Sequence, residues 1–166
     1  MKNLALVTLA AMLIAPAAWA QTINAANAPS GAHFATAEPT CTTDQNLNVS
    51  CTAATIGGVG NTNITVTLTA SYSGTVTCTN GGGKLVDVKT KAVTSGSAQG
   101  MPSAKNGQIA VPALSVTAPS TASLLANATC PNGNWTKSLV GNSVTLVSFA
   151  YTITFDGFSG AYFSIP

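Results

Sequence analysis

Between residues 64 and 78 the chain changes character at almost every step. Ile64, Val66, Leu68, Ala70, Tyr72, Val76 and Cys78 are apolar, while Thr65, Thr67, Thr69, Ser71, Ser73, Thr75 and Thr77 carry hydroxyls. A repeat of two sorts these sets onto opposite faces of an extended strand, and a helix cannot separate them in that way. Such a strand leaves one face dry, so the fold needs a second layer to cover it. Gly74 is the gap in the apolar set and predicts a bulge or bend at that point.

The same pattern predicts strands over 85–93, 108–117, 122–130, 135–140, 143–155 and 159–165, with one or two short strands inside 47–56. Pro112 has no N–H to give to a ladder, so 108–117 is expected at a sheet edge or bulged. In 143–155, Val147, Phe149, Tyr151, Ile153 and Phe155 fall on one side. No window beyond the first twenty residues shows helical periodicity. Asn80-Gly81, Asn106-Gly107, Asn132-Gly133 and Asp156-Gly157 separate the runs and accept the positive φ of tight turns. Their spacing of 24 to 26 residues raises a solenoid, but the intervening segments share little else. The reading is an all-β, immunoglobulin-like antiparallel β-sandwich of about eight strands, a single domain over 41–166. Residues 21–40, rich in Ala, Asn, Pro, Ser and Gly, read as a flexible leader.

The first twenty residues have a different job. Lys2, an apolar run from Leu4 to Ala15, and small residues at Ala18 and Ala20 form the charged, hydrophobic and A-x-A parts of a cleavable signal peptide. The run is too short to cross a bilayer, which needs about 20 residues, and Pro16 closes it. The expected product starts at Gln21 and is exported to the periplasm, cell surface or medium, without membrane insertion after cleavage. All four cysteines, 41, 51, 78 and 130, lie in that exported part, which favours two disulfides. Cys41 with Cys51 joins near neighbours across a short connection, and Cys78 and Cys130 share the apolar parity of their expected strands, so these pairings are preferred. With His33 as the sole imidazole, zinc is a poor alternative.

Charge excludes some functions. Only 6 % of residues are charged and none is Arg, so Thr, Ser and Asn must hydrate the surface. A nearly neutral chain without Arg has few means of binding nucleic acid. For catalysis the inventory is His33 with Glu38, Asp44, Asp87 and Asp156, and no nucleophile elbow accompanies them. A secreted hydrolase using His33 is therefore the lesser alternative, and no catalytic residue, metal or cofactor is assigned. Gly81-Gly82-Gly83-Lys84 lacks both the spacing and the following Ser or Thr of a phosphate loop and reads as a hairpin turn. Lys84, Lys89 and Lys91 with Asp87 form a charged stripe that protects an edge strand or meets an anionic glycan.

Six of the nine aromatics beyond residue 20 lie between Phe149 and Phe163. Strand parity commits Phe149, Tyr151 and Phe155 to the core and leaves Trp135, Phe158 and Tyr162 as candidate ligand-binding residues, since exposed rings commonly grip sugars or proteins. Cys78-Thr-Asn-Gly-Gly-Gly, Lys105-Asn-Gly-Gln, Cys130-Pro-Asn-Gly and Val147-Ser-Phe-Ala-Tyr-Thr together resemble a pattern in small secreted bacterial disulfide-bonded β-proteins of unassigned function. The resemblance covers residues 62–156 and implies a fold and a disulfide but no chemistry. The functional expectation is an exported, non-catalytic binding or structural module for a surface glycan or protein. A fimbrial subunit is a further alternative, resting on a loose N-terminal segment able to donate a strand.

Overall fold

The computed structural model describes residues 20–101 and 107–166. The expected signal peptide, apart from Ala20, and the Lys105-Asn106 pair lie outside the described residues. In chain order the strands are β1 (Thr22–Ile23), β2 (His33–Phe34), β3 (Cys41–Thr43), β4 (Val49–Cys51), β5 (Ala54–Gly57), β6 (Ile64–Thr79), β7 (Leu85–Met101), β8 (Ile109–Val111) and β9 (Leu114–Val116). Then follow helix α1 (Thr121–Asn127) and strands β10 (Thr136–Leu139), β11 (Thr145–Phe155) and β12 (Ala161–Ile165). Every pairing is antiparallel.

The alternating segment becomes β6, sixteen residues whose even positions are all buried. One of its edges is paired from end to end with β7. The other is shared: β11 lies opposite Ile64–Ser73 and β10 opposite Val76–Thr79. β10 and β11 are thus one line of chain, interrupted by residues 140–144 where β6 has only Gly74 and Thr75. The interruption is stitched by Val140 N–H to Thr75 O (2.9 Å) and by Thr75 N–H to Ser143 Oγ (3.1 Å). The irregularity expected at Gly74 therefore sits on the facing strand, and β6 itself runs through. Beyond β11 the sheet continues through β12 to β1.

A second layer covers the dry face. Two three-stranded sheets, β2-β5-β8 and β3-β4-β9, are halves of one ladder, because the register from Val49↔Val116 to Ile56↔Ile109 never slips. The ladder is broken at Thr52-Ala53 opposite Pro112-Ala113, where the proline has no N–H to offer. Pro112 stands on the outer edge, as its chemistry requires. Between the layers Val49, Ile56, Ile109, Val111 and Val116 meet Ile64, Val66, Leu68, Tyr72, Phe149, Tyr151 and Phe163 in one buried cluster. Each such side chain contributes roughly 1.5–3 kcal/mol on leaving water.

The upper layer changes identity halfway along β6. Past Gly74 the sheet is covered by α1, over a separate small group of buried residues: Val76, Cys78, Ala92, Leu124 and Ala128. This corrects the strand expected over 122–130. Leu124 and Ala128, the two residues of that segment that are buried, lie four apart, and four satisfies a period of two as well as one of 3.6. Local chemistry then decides. Ser120 caps the helix by accepting from Ser123 N–H (3.2 Å), and Ala and Leu are strong helix formers. Thr90, the one buried polar residue among the described residues, donates its hydroxyl to Leu124 O at 3.0 Å.

Both disulfides form as expected, Cys41–Cys51 directly across β3 and β4 and Cys78–Cys130 between β6 and the segment after α1. Cys130 reaches Cys78 from the end of a helix, so the pairing holds although the strand parity proposed for it does not. β7 runs eight residues past the expected end at 93. Residues 21–40 are laid along the sandwich: Thr22–Ile23 pair with β12, His33–Phe34 with β5, and Ala28 is in the core.

Candidate functional site

The three aromatic candidates part company. Tyr162 is 2 % exposed and belongs to the core, its ring 5.6 Å from Phe34 and 5.4 Å from Phe155. That corrects its place among the exposed rings: the β11–β12 hairpin closes on Phe34, a contact that no local pattern predicts. Phe158 is half-buried and packs edge-on to Phe155 at 6.3 Å. Both lie at the start of β6, where Asp156 N–H reaches Asn63 O (3.0 Å). Trp135 precedes β10, opposite the far end of β6, and at roughly 3.3 Å per residue the strand separates them by about 50 Å. They do not form one surface.

Trp135 does have a site of its own. It is half-buried in a cleft of about 300 Å³ with Ala128, Thr129, Cys130, Asn132 and Lys137. The Cys78–Cys130 bridge anchors one wall and β10 the other. Lys137 Nζ donates to Leu125 O (3.0 Å) at the end of α1, which fixes the ammonium beside the cleft. Asn132 Oδ1 accepts from Asn134 N–H (3.1 Å), leaving its NH2 for a ligand. An indole face, an amide, a hydroxyl and an ammonium thus converge on one concavity, the mixture of apolar wall and few polar groups typical of ligand sites.

His33 is exposed, and its Nδ1 donates to Gly31 O at 2.8 Å. Its other side lies over Gly57. Lys89 and Lys91 of the expected stripe fall on β7, an edge strand, and Lys84 stands just before it: Lys89 Nζ donates to Thr75 Oγ1 (2.7 Å), and Asp87 accepts from Thr77 Oγ1 (2.7 Å), each pair in direct register. Among the described residues no group of three or more His, Cys, Asp or Glu is placed to hold a metal ion.

Sequence reasoning missed a second cleft, of about 430 Å³, at the seam where the upper layer changes from the three-stranded ladder to α1. One wall is the loop 44–48. Asp44 accepts from Asn46 N–H (2.8 Å), Asn48 N–H (2.9 Å) and Asn48 Nδ2 (2.9 Å), and these bonds, led by the Asn48 side chain, hold its carboxyl below the usual range. Asn48 Oδ1 in turn accepts from Ala118 N–H (3.0 Å), tying the linker before α1 to the loop. The Tyr72 hydroxyl rises from the core to donate to Leu47 O (2.9 Å), and burial pushes its pKa up.

Fold and disulfides together define a two-disulfide antiparallel β-sandwich suited to an oxidising, non-cytoplasmic compartment. No described helix is long and apolar enough to cross a membrane. No protein-family model matches the chain, and comparisons with curated proteins and with solved structures find no match.

Proposed function

We propose that the chain is exported after loss of residues 1–20 and acts, as an immunoglobulin-like sandwich without catalysis, as a binding module for a surface glycan or protein. The observation that carries this reading is the cleft at Trp135, which offers a half-buried indole between an amide and an ammonium. Such a ring stacks on the C–H face of a sugar or on a partner's side chain, and an exposed aromatic anchor commonly supplies a large share of binding energy.

Trp135 is the only tryptophan after residue 20, so its fluorescence reports on the cleft alone. The secreted protein, with an intact mass beginning at Gln21, is titrated with glycan fractions and retained on intact cells. The expected result is a shift of Trp135 emission, abolished retention in Trp135→Ala at unchanged thermal unfolding, and full retention in His33→Ala. Turnover of a substrate that disappears in folded His33→Ala would replace the binding reading with the hydrolase.

A further inference from the structure

We infer that the seam cleft is a second binding site, built for a neutral oligosaccharide. It stands apart from the Trp135 cleft: its linker wall precedes α1, whereas the Trp135 wall follows it. The inference does not depend on that other site. At about 430 Å³ the cleft falls within the roughly 300–1,000 Å³ of small-ligand sites.

Two turns of the sandwich form its walls, the β3–β4 hairpin loop and the turn between β10 and β11. Leu47 (φ 64°) and Asn142 (φ 56°) are the two non-glycine residues with positive φ among the described residues, and both line this cleft. A left-handed residue with a side chain costs about 1–2 kcal/mol, and at Leu47 no local polar group of its own compensates. The surroundings impose both conformations. Leu47 is gripped by its N–H to Asp44 O (3.0 Å) and by the Tyr72 hydroxyl on its carbonyl. Asn142 is carried by the five-residue interruption between β10 and β11, closed by Ser143 N–H and Oγ on Val140 O (3.2 and 2.7 Å). These bonds hold both turns, and with them the side chains that line the cleft, in fixed positions.

The chemistry of the lining selects the ligand. The side-chain amides of Gln45, Asn46 and Asn142 are exposed and make no hydrogen bond among the described residues, so each offers two donors and an acceptor. Between them Leu47, Pro119 and Val144 supply an apolar floor. None of the lining residues is charged, and the nearby Asp44 carboxylate is already engaged by three donors. Amides that donate and accept at once match vicinal hydroxyls, and the apolar floor matches the C–H face of a pyranose ring. An anionic ligand finds no cation here, and the lining offers no acid, base or nucleophile, so the ligand is held and not transformed.

The test follows side-chain NH2 resonances of the folded protein by 15N NMR during titration with malto-, cello- and N-acetylchito-oligosaccharides, in the Trp135→Ala background. At least one series is expected to shift the amides of Gln45, Asn46 and Asn142. Asn142→Gly removes the amide while relieving the left-handed strain, so it should unfold at a higher temperature yet bind about tenfold more weakly, a loss equivalent to about one ligand hydrogen bond. Gln45→Ala should weaken binding with stability unchanged. No shift at these amides with any of the three series, or undiminished affinity in Asn142→Gly, would overturn the inference. A Trp135 response in the unsubstituted protein without an amide response would overturn it while leaving the first cleft standing.

Discussion

Gly74 occupies a position on the dry face of β6 where the alternation calls for an apolar side chain. A Cβ there would stand 3.5 Å from Leu139 Cδ1, 3.6 Å from Thr90 Cγ2 and 3.8 Å from Leu124 Cδ1, which is ordinary contact. Gly74→Ala should therefore be neutral or stabilising by up to about 1 kcal/mol, through the lost freedom of the unfolded chain. Gly74→Val places two further carbons where those neighbours already stand, and should cost about 1–3 kcal/mol by overpacking beneath α1. Urea denaturation of the pair checks the opposite signs. Gly58 is different: at φ +72° a side chain would run into the Gly31 carbonyl, so no substitution is free there. The gap at Gly74 was readable, but its reason was not, because the residues that crowd it come from α1, β7 and β10.

Among the elements, α1 depends most on ties to others. Seven residues are too few to hold a helix in water. It is fastened by Cys78–Cys130, by the Thr90 hydroxyl on Leu124 O, by Asn127 Nδ2 on Lys91 O (3.0 Å) and by Lys137 Nζ on Leu125 O. Two disulfides of unequal span make a measurable contrast. On the chain-entropy model the 52-residue separation of Cys78 and Cys130 corresponds to about 4 kcal/mol, and the 10-residue separation of Cys41 and Cys51 to about 3 kcal/mol. Replacing Cys78 and Cys130 together by Ala should lower stability more than replacing Cys41 and Cys51. It should also speed amide exchange in α1 and around Trp135 before the main core opens, because that bridge spans the small group of buried residues apart from the principal cluster. Equal losses in the two variants, with uniform exchange, would show that α1 is held by packing alone. The helix escaped sequence reading for a physical reason: an element of seven residues completes less than two turns, too few for a period of 3.6 to separate from one of two.

For the whole molecule, pH response follows from the few groups that titrate. All three tyrosines, 72, 151 and 162, lie above their ordinary value of about 10, in each case first because burial disfavours the phenolate. Tyr151 is the extreme case, its hydroxyl buried without a hydrogen-bond partner. A phenol whose folded pKa is raised leaves stability intact below the unfolded value and erodes it as pH climbs above about 10 toward the folded value. Asp44 has the opposite sign: its lowered pKa gives stability that is present above the unfolded carboxylate value and lost as pH falls through the folded one. Because Asp44 is exposed, the acid limb should be shallow and the alkaline limb steep. Phenolate absorbance should appear together with unfolding, and Tyr151→Phe should flatten the alkaline limb; early, non-cooperative phenolate absorbance would contradict this. The sequence alone determined the alternation of β6 with its wet and dry faces, the edge position of Pro112 and the Cys41–Cys51 pairing, since each follows from local stereochemistry or from the placement of a few residues, whereas Val147, expected on the dry side of β11, is turned outward by the register shift between Leu146 and Ser148. Tertiary structure alone decided that α1 replaces a strand, that Tyr162 is core, and that Thr22–Ile23 and His33–Phe34 join the sheets. It also decided where loop 44–48, the 118–119 linker and Asn142 meet as a cleft. These depend on which distant segments share an edge or a seam, and that is settled by burying the dry face of β6 as a whole, which no local window of sequence contains.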